Sequence, residues 1–497
     1  MYRKILLALS IVAIVFNSCK HEVKTEVTPA DGNYPPEVSK IIMNKCATAG
    51  CHNAASYQNA GNLLLDTWEH LFNGGSSGAA VVAYSTENSP LLYFINSNQN
   101  GNSDIANQPT MPYNGAPLSA AEYTTIKNWI ANGAPDKNGN IPFAGNPDTR
   151  QKMYLACQGA KACRLVAVID AEKKVVMRYI KIGEANVEET AHNIRVSPDG
   201  RYAYVCFFGG TVIQKIDTRI DSIVGTAHLD TIGQWSVINI AADGKSLMVS
   251  NWVGGNSGSL TIVHTETMTA DRPLGGFTYP HGVAANPTFD TFYVPAQYGN
   301  VVYKFNSDGT YFKQIAIDGK QVNFSTSPGA TPNPHDIMML PDHSKYFLTC
   351  ENTNEVRVMD AYADTVIKVF QVGTFPQELA VSKSKPYMFV TCQEDQSSYP
   401  LSKGSIYVFD YQQLSFVKRI DASFYQPHGI GIDDKNNTFY VASRNFDHNG
   451  PAPHHSSVCG AQNGWYQIFD LNTFEPVSGR RYEVTPDPYS FDPRFKP

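Results

Sequence analysis

The chain of 497 residues is too long for one ordinary core, so two or three domains are expected. Hydrophobic residues at 42% and charged residues at 17% describe a globular protein and exclude a disordered one. A net charge of -6, with no basic stripe interleaved with aromatics, argues against a nucleic-acid partner.

Residues 1–19, MYRKILLALSIVAIVFNSC, pair a short basic start (Arg3, Lys4) with an apolar run from Ile5 to Phe16. That run is too short to span a bilayer and suits a secretory signal. Ser18 directly before Cys19 resembles a bacterial lipoprotein cleavage site, although Phe16 and Asn17 depart from its usual residues. The resemblance implies an exported bacterial lipoprotein, lipidated at Cys19 and held on a membrane without a transmembrane helix, facing the periplasm or lying at the outer-membrane surface. Plain secretion with a spare cysteine is the alternative. Residues 20–36, polar and proline-containing, read as a tether.

The next stretch is "KCATAGCHNA". Covalent haem needs two thiols and a histidine just after the second, and Cys46, Cys51 and His52 supply them. Four residues separate the thiols where two are usual, and all four are small enough to bulge. Pro35-Pro36 and the spacing of Val38, Ile41 and Ile42 predict a helix before Cys46. A second helix is expected from Ser89-Pro90 through Leu91, Leu92 and Ile95. The capping box Ser119-Ala-Ala-Glu122 opens a third, with Tyr123, Ile126, Trp129 and Ile130 on one face and Asn132-Gly133 at its end. Between the last two lies "QPTMPYNGAPLS", which frames Met111 with prolines.

This helix order resembles single-haem cytochrome c, and "GNLLLDTWEHL … SPLLYFI … TMPYNGAPLS … IKNWIANGAP" resembles the planctomycete-type cytochrome c domain. The resemblance implies an all-α domain over residues 37–137 and one haem c. Cys46 and Cys51 would hold its thioethers, His52 and Met111 its iron. His70, beside Trp68 and Leu71, competes as the distal ligand, and a Cys46–Cys51 disulfide competes with haem attachment.

From about residue 140 the chain turns to short apolar runs and repeats itself. "AHNIRVSPDGRYAYV", "WSVINIAADGKSLMV", "YPHGVAANPTFDTFYV", "NPHDIMMLPDHSKYFL", "FPQELAVSKSKPYMFV" and "QPHGIGIDDKNNTFYV" align so that His192, Ser236, His281, His335, Gln377 and His428 each stand 13 residues before Val205, Val249, Val294, Leu348, Val390 and Val441. The units recur at 44, 45, 54, 42 and 51 residues, the period of a β-propeller with four strands per blade. The unit "KMYLACQGAKACRLVAVIDAEKKVVMRYIKIG" supplies a seventh blade, and either "IPFAGNP" or the C-terminal "PYSFDPRF" its inner strand. The repeats resemble the YVTN family, related in fold to the nitrous oxide reductase propeller. The expected architecture is therefore multidomain, a small all-α cytochrome c domain followed by an all-β seven-bladed propeller over residues 140–484, with 485–497 as a tail able to close the ring.

Cys157 and Cys163 flank a turn where a disulfide could clamp a hairpin, while Cys206, Cys350 and Cys392 read as buried small residues. The repeat register sends His192, His281, His335 and His428 toward one rim, where the long loop 443–464 adds His454 and His455. Such a rim could bind copper or zinc, or be satisfied within each repeat. The function expected is electron transfer, with a redox partner protein or small-molecule substrate docked on the histidine-bearing face. If the protein is an enzyme, an oxidoreductase is expected. A cell-surface binding propeller and a metal-dependent, lactonase-like hydrolase are the alternatives.

Overall fold

The computed structural model of the chain describes residues 30–97, 104–159, 163–185, 187–325, 327, 329, 332–450 and 463–494. Cys19, His454 and His455 lie outside the described residues. Among the described residues the helices are few and confined to the first third, and no helix is long and apolar enough to cross a membrane.

Helix α1 (Pro36–Ile41) starts with proline in its first turn, where the missing N–H is no loss, and buries Val38 and Ile41. It runs on through a wider π turn, Ile42–Cys46, closed by Ala47 N donating to Ile42 O at 2.8 Å. Helix α2 (Trp68–Leu71) is capped by Thr67, and α3 spans Pro90–Ile95. Ser89 precedes α3 without capping it. Its hydroxyl serves Val82 and Ser85 instead, stapling the preceding turn. Helix α4 (Ala120–Ala131) has both bonds of the Ser119–Glu122 capping box and buries Tyr123, Ile126, Trp129 and Ile130. Gly133, at φ +96, ends it.

The remainder is antiparallel sheet. Strands Lys152–Gln158, Arg164–Asp170 and Val176–Lys181 form a four-stranded sheet with the C-terminal strand Pro488–Arg494, which supplies the inner edge. The run "IPFAGNP" is not a strand. Four further four-stranded sheets follow in chain order between Ala284 and Val484. The two repeats beginning at His192 and Ser236 are joined, because one 19-residue strand, Ser222–Ile240, pairs with Tyr202–Asp217 through its first part and with Ser246–Asn251 through Trp235–Ile240. No proline interrupts it, and register shifts near Gly210 absorb the bend.

The 13-residue spacing has a physical cause. Ile194 pairs with Val205, Ile238 with Val249, Ile337 with Leu348, Leu379 with Val390 and Ile430 with Val441, and in each ladder the register shifts across the repeat residue just before. A bulge re-aims the residue it carries and loosens it from the ladder. Tyr489 occupies the same place in the C-terminal strand, since Ser490 pairs with Ala156 and Pro488 with Cys157.

The helical segment packs on the outer strands of the first and last sheets. Val82 shares a core cluster with Met153, Val175 and Tyr482, and Glu483 N donates to Ser77 O at 2.9 Å.

The expected Cys157–Cys163 clamp is not formed: Cys157 is a free thiol, and Cys163 is disulfide-bonded elsewhere. Register explains this, for Cys157 stands opposite Leu165 and points into the apolar cluster of Met153 and Leu155. Burial pushes its thiol up to about 12, and the buried Cys206 and Cys350 behave alike.

Candidate functional site

Two groups of side chains carry chemistry. The first is the cysteine motif. Cys46 ends the π turn buried in the apolar cluster of the helical segment, and desolvation pushes its thiol up to about 12. The four residues after it close a loop in which Cys51 N donates to Thr48 O and His52 N to Cys46 O, both at 3.1 Å. Ala49 and Gly50 are exposed, so the extra backbone bulges into solvent. Gly50 has φ +82 with open space where a Cβ would lie.

Both thiols are free, which removes the disulfide reading of this pair. His52 Nδ1 meets Leu63 O at 2.9 Å, and a carbonyl only accepts, so the proton sits on Nδ1 and Nε2 keeps its lone pair. Burial holds the imidazole below its usual pKa.

Met111 N donates to Phe94 O at 2.7 Å, which pins the loop, and the side chain packs against the same cluster that holds Cys46 and Leu63. His70, half-buried, has Nδ1 2.6 Å from the buried Asp66 Oδ1, which leaves Nε2 unengaged by that bond. Lys45 and Glu122, 2.8 Å apart, tie the motif's turn to the start of α4.

The second group lies where the inner strands meet. His192, His281, His335 and His428 are all at most 5% exposed, and they converge. Ring centroids are 5.5 Å apart for His192 and His281, 3.9 Å for His281 and His335, and 6.2 Å for His335 and His428. Tyr489 closes the circuit, stacked on His428 at 3.7 Å and donating from its hydroxyl to His192 Nε2 at 3.2 Å.

Sequence reasoning missed Tyr489. The signal was present: Pro488-Tyr489 repeats the dipeptides Pro280-His281, Pro334-His335, Pro376-Gln377 and Pro427-His428.

Each imidazole reaches across to the next repeat rather than staying within its own. His192 Nδ1 meets Ser236 O at 2.8 Å and His428 Nδ1 meets Tyr489 O at 3.0 Å. The equivalent carbonyls of His335 and Gln377 act electrostatically on His281 and His335, though without a hydrogen bond of full geometry at either Nδ1. Burial is the main reason that all four imidazoles are held well below their usual pKa.

Two carboxylates stand beside them. Glu351 lies 3.8 Å from His335 Nε2, accepts from Gln297 and Gln377, and is pushed up by desolvation to about 7. Glu378 lies 3.7 Å from His428 Nδ1 and is pushed up by desolvation to about 8.

Among the described residues no three His, Cys, Asp or Glu side chains are placed to hold a metal ion, and His454 and His455 of the expected copper or zinc rim lie outside those residues.

The buried acids set a pH dependence. Glu378 binds a proton more tightly folded than unfolded, so between pH 4.5 and about 8 stability falls as pH rises, and Glu351 acts in the same sense up to about 7. The four imidazoles oppose this on the acid side, because below pH 6.5 the unfolded chain binds the protons they refuse. Glu378→Gln should flatten the alkaline limb of the stability curve, gaining about 1–3 kcal/mol on wild type at pH 9 and little at pH 5. Denaturant unfolding across that range checks it, and a difference independent of pH would refute it.

Residues 49–103 match the family model described as Planctomycete cytochrome C, a span that takes in Cys51 and His52 and stops short of Met111. No curated protein matches the chain. Among solved structures the chain is similar to a functionally unknown protein from Desulfotomaculum acetoxidans DSM 771. That match has 13% identity and a TM-score of 0.50, and it covers 68% of this chain and 99% of that one. It is also similar to Kuenenia stuttgartiensis hydrazine synthase, at 16% identity and a TM-score of 0.47, over 62% of this chain and 90% of that one. The protein thus carries a planctomycete cytochrome c-type segment ahead of a large all-β domain.

Proposed function

We propose that the cysteine motif carries one covalently attached haem c and that the protein is an exported electron-transfer protein. One observation carries the reading: two free thiols and an imidazole with its Nδ1 already committed to Leu63 O occur together, the second thiol and the imidazole inside the span that matches a cytochrome c family and the first thiol just before it. When bound, haem c supplies a one-electron iron couple.

The chain's own residues supply the rest. Cys46 and Cys51 hold the group by thioethers. The Leu63 carbonyl holds the His52 proton on Nδ1, so Nε2 would keep the lone pair a haem iron takes. Met111 offers a soft thioether from a pinned loop, and His/Met ligation favours a relatively high potential. The apolar cluster of Ile42, Leu91, Ile126 and Trp129 keeps water away.

The test is the visible spectrum of protein made in a host with a cytochrome c maturation system, followed by acid-acetone extraction. Haem should stay with the denatured chain. Haem lost to the solvent would sink the reading.

The β-domain is read as a seven-bladed propeller of the YVTN type. Its support is the set of equivalent positions from His192 to Tyr489 and the pairing of the C-terminal strand with the first sheet. Its histidine-bearing end would dock a redox partner protein or a small substrate. Lipidation at Cys19 would hold the protein on a membrane. Cys19→Ser should move it to the soluble fraction, and wild type already soluble would refute the anchor.

A further inference from the structure

The residues that would frame the haem carry no charge. In a chain with 17% charged residues, neither the run 46–65, which holds both thiols and His52, nor the run 105–121, which holds Met111, contains an Asp, Glu, Lys or Arg. His52 is neutral as well, because burial holds its imidazole below the usual pKa. The two runs adjoin, since Ala47 and Leu63 of the first and Met111 of the second pack against one apolar cluster.

The charges that border the runs are spent on one another. Lys45, just before the first run, pairs with Glu122, just after the second, at 2.8 Å. Asp66 is bonded to His70, and Asp104 pairs with Lys127. What faces water between them is neutral: Ala55, Gln58 and Asn59 on one run and Gln108, Tyr113 and Ala116 on the other are all exposed, Tyr113 at 64%. The chain's net charge of -6 is therefore carried by other surfaces.

A surface of this kind selects its partner by what it cannot offer. A charged face pressed against it would give up its water and gain no counter-charge, whereas an uncharged face loses little. Tyr113 adds an apolar ring with a polar tip, the residue type that anchors interfaces.

We propose that this surface is where the helical segment exchanges electrons, and that it fits a redox protein whose own docking face is uncharged. Such partners meet without electrostatic steering, so their association is indifferent to salt. The inference rests on the haem reading and is independent of what docks on the β-domain.

A second copy of the chain presents such a face, which makes electron self-exchange the experiment. A reduced copy passes one electron to an oxidised copy, and nothing else is consumed. Full-length, haem-loaded protein, partly oxidised, is followed by the line broadening of its haem methyl proton signals in potassium chloride from about 50 to about 500 mM. The wild-type rate constant should change by less than about threefold over that range. Ala55→Lys combined with Ala116→Lys should slow exchange about fivefold or more at the low end and recover at the high end, because like charges then face each other. Gln412→Lys combined with Gln413→Lys, which adds the same charge on an exposed turn of the β-domain, should not slow it. A wild-type rate that changes about tenfold or more with salt, no slowing by the first lysine pair, or equal slowing by both pairs would each overturn the proposal, while a normal low-spin spectrum keeps the haem reading standing. Protein that carries no covalent haem would overturn both.

Discussion

His52→Ala should abolish the low-spin haem spectrum while Met111→Ala leaves haem covalently attached and removes only the methionine-to-iron absorption band. The asymmetry follows from placement. His52 is held within the same closed loop as both thiols, its N–H bonded to Cys46 O and its ring to Leu63 O, so nothing nearby can replace it. Met111 comes from a separate loop fixed by one bond to Phe94 O, and its loss leaves the thioether sites untouched. His70, bonded to Asp66 through Nδ1, keeps Nε2 free of that bond and is the competing distal ligand that the Met111→Ala spectrum would reveal. Absorption and redox titration check both variants. Retention of the methionine band in Met111→Ala would show that another group ligates the iron.

Phe491→Ala should cost about 3–5 kcal/mol of β-domain stability. Phe491 is 1% exposed and packs among Met153, Leu155, Tyr440 and Tyr466, so its removal opens a cavity between the first and last sheets. Those sheets meet closely: a Cβ on Gly429 would lie 2.5 Å from Tyr489 O, so the neighbouring strand cannot slide in to fill the gap. Ending the chain at residue 487 should be worse and prevent cooperative folding. It removes the strand paired with Lys152–Gln158, the Asp492 carboxylate that accepts from Val196 N, and the Arg494 guanidinium that donates to Gly200 O and Pro147 O. Denaturant unfolding monitored by tryptophan fluorescence checks both, and a truncated chain that unfolds like wild type would refute the role given to this strand.

The sequence alone determined what depends on neighbours along the chain. The Ser119–Glu122 capping box, the proline start of α1 and the 13-residue repeat register are local, set by turn chemistry and by alternation within one hairpin, and they stand in the structure as read. The cysteine pair and its histidine were legible for the same reason, since seven consecutive residues make the loop. Only tertiary structure decided which strand completes the first sheet, because the pairing of Pro488–Arg494 with Lys152–Gln158 joins the two ends of the β-region and leaves no local signature. The same long-range closure put Tyr489 among the histidines. It also turned each imidazole toward the next repeat's carbonyl, because a bulge fixes which way a side chain leaves its strand but not what it meets there.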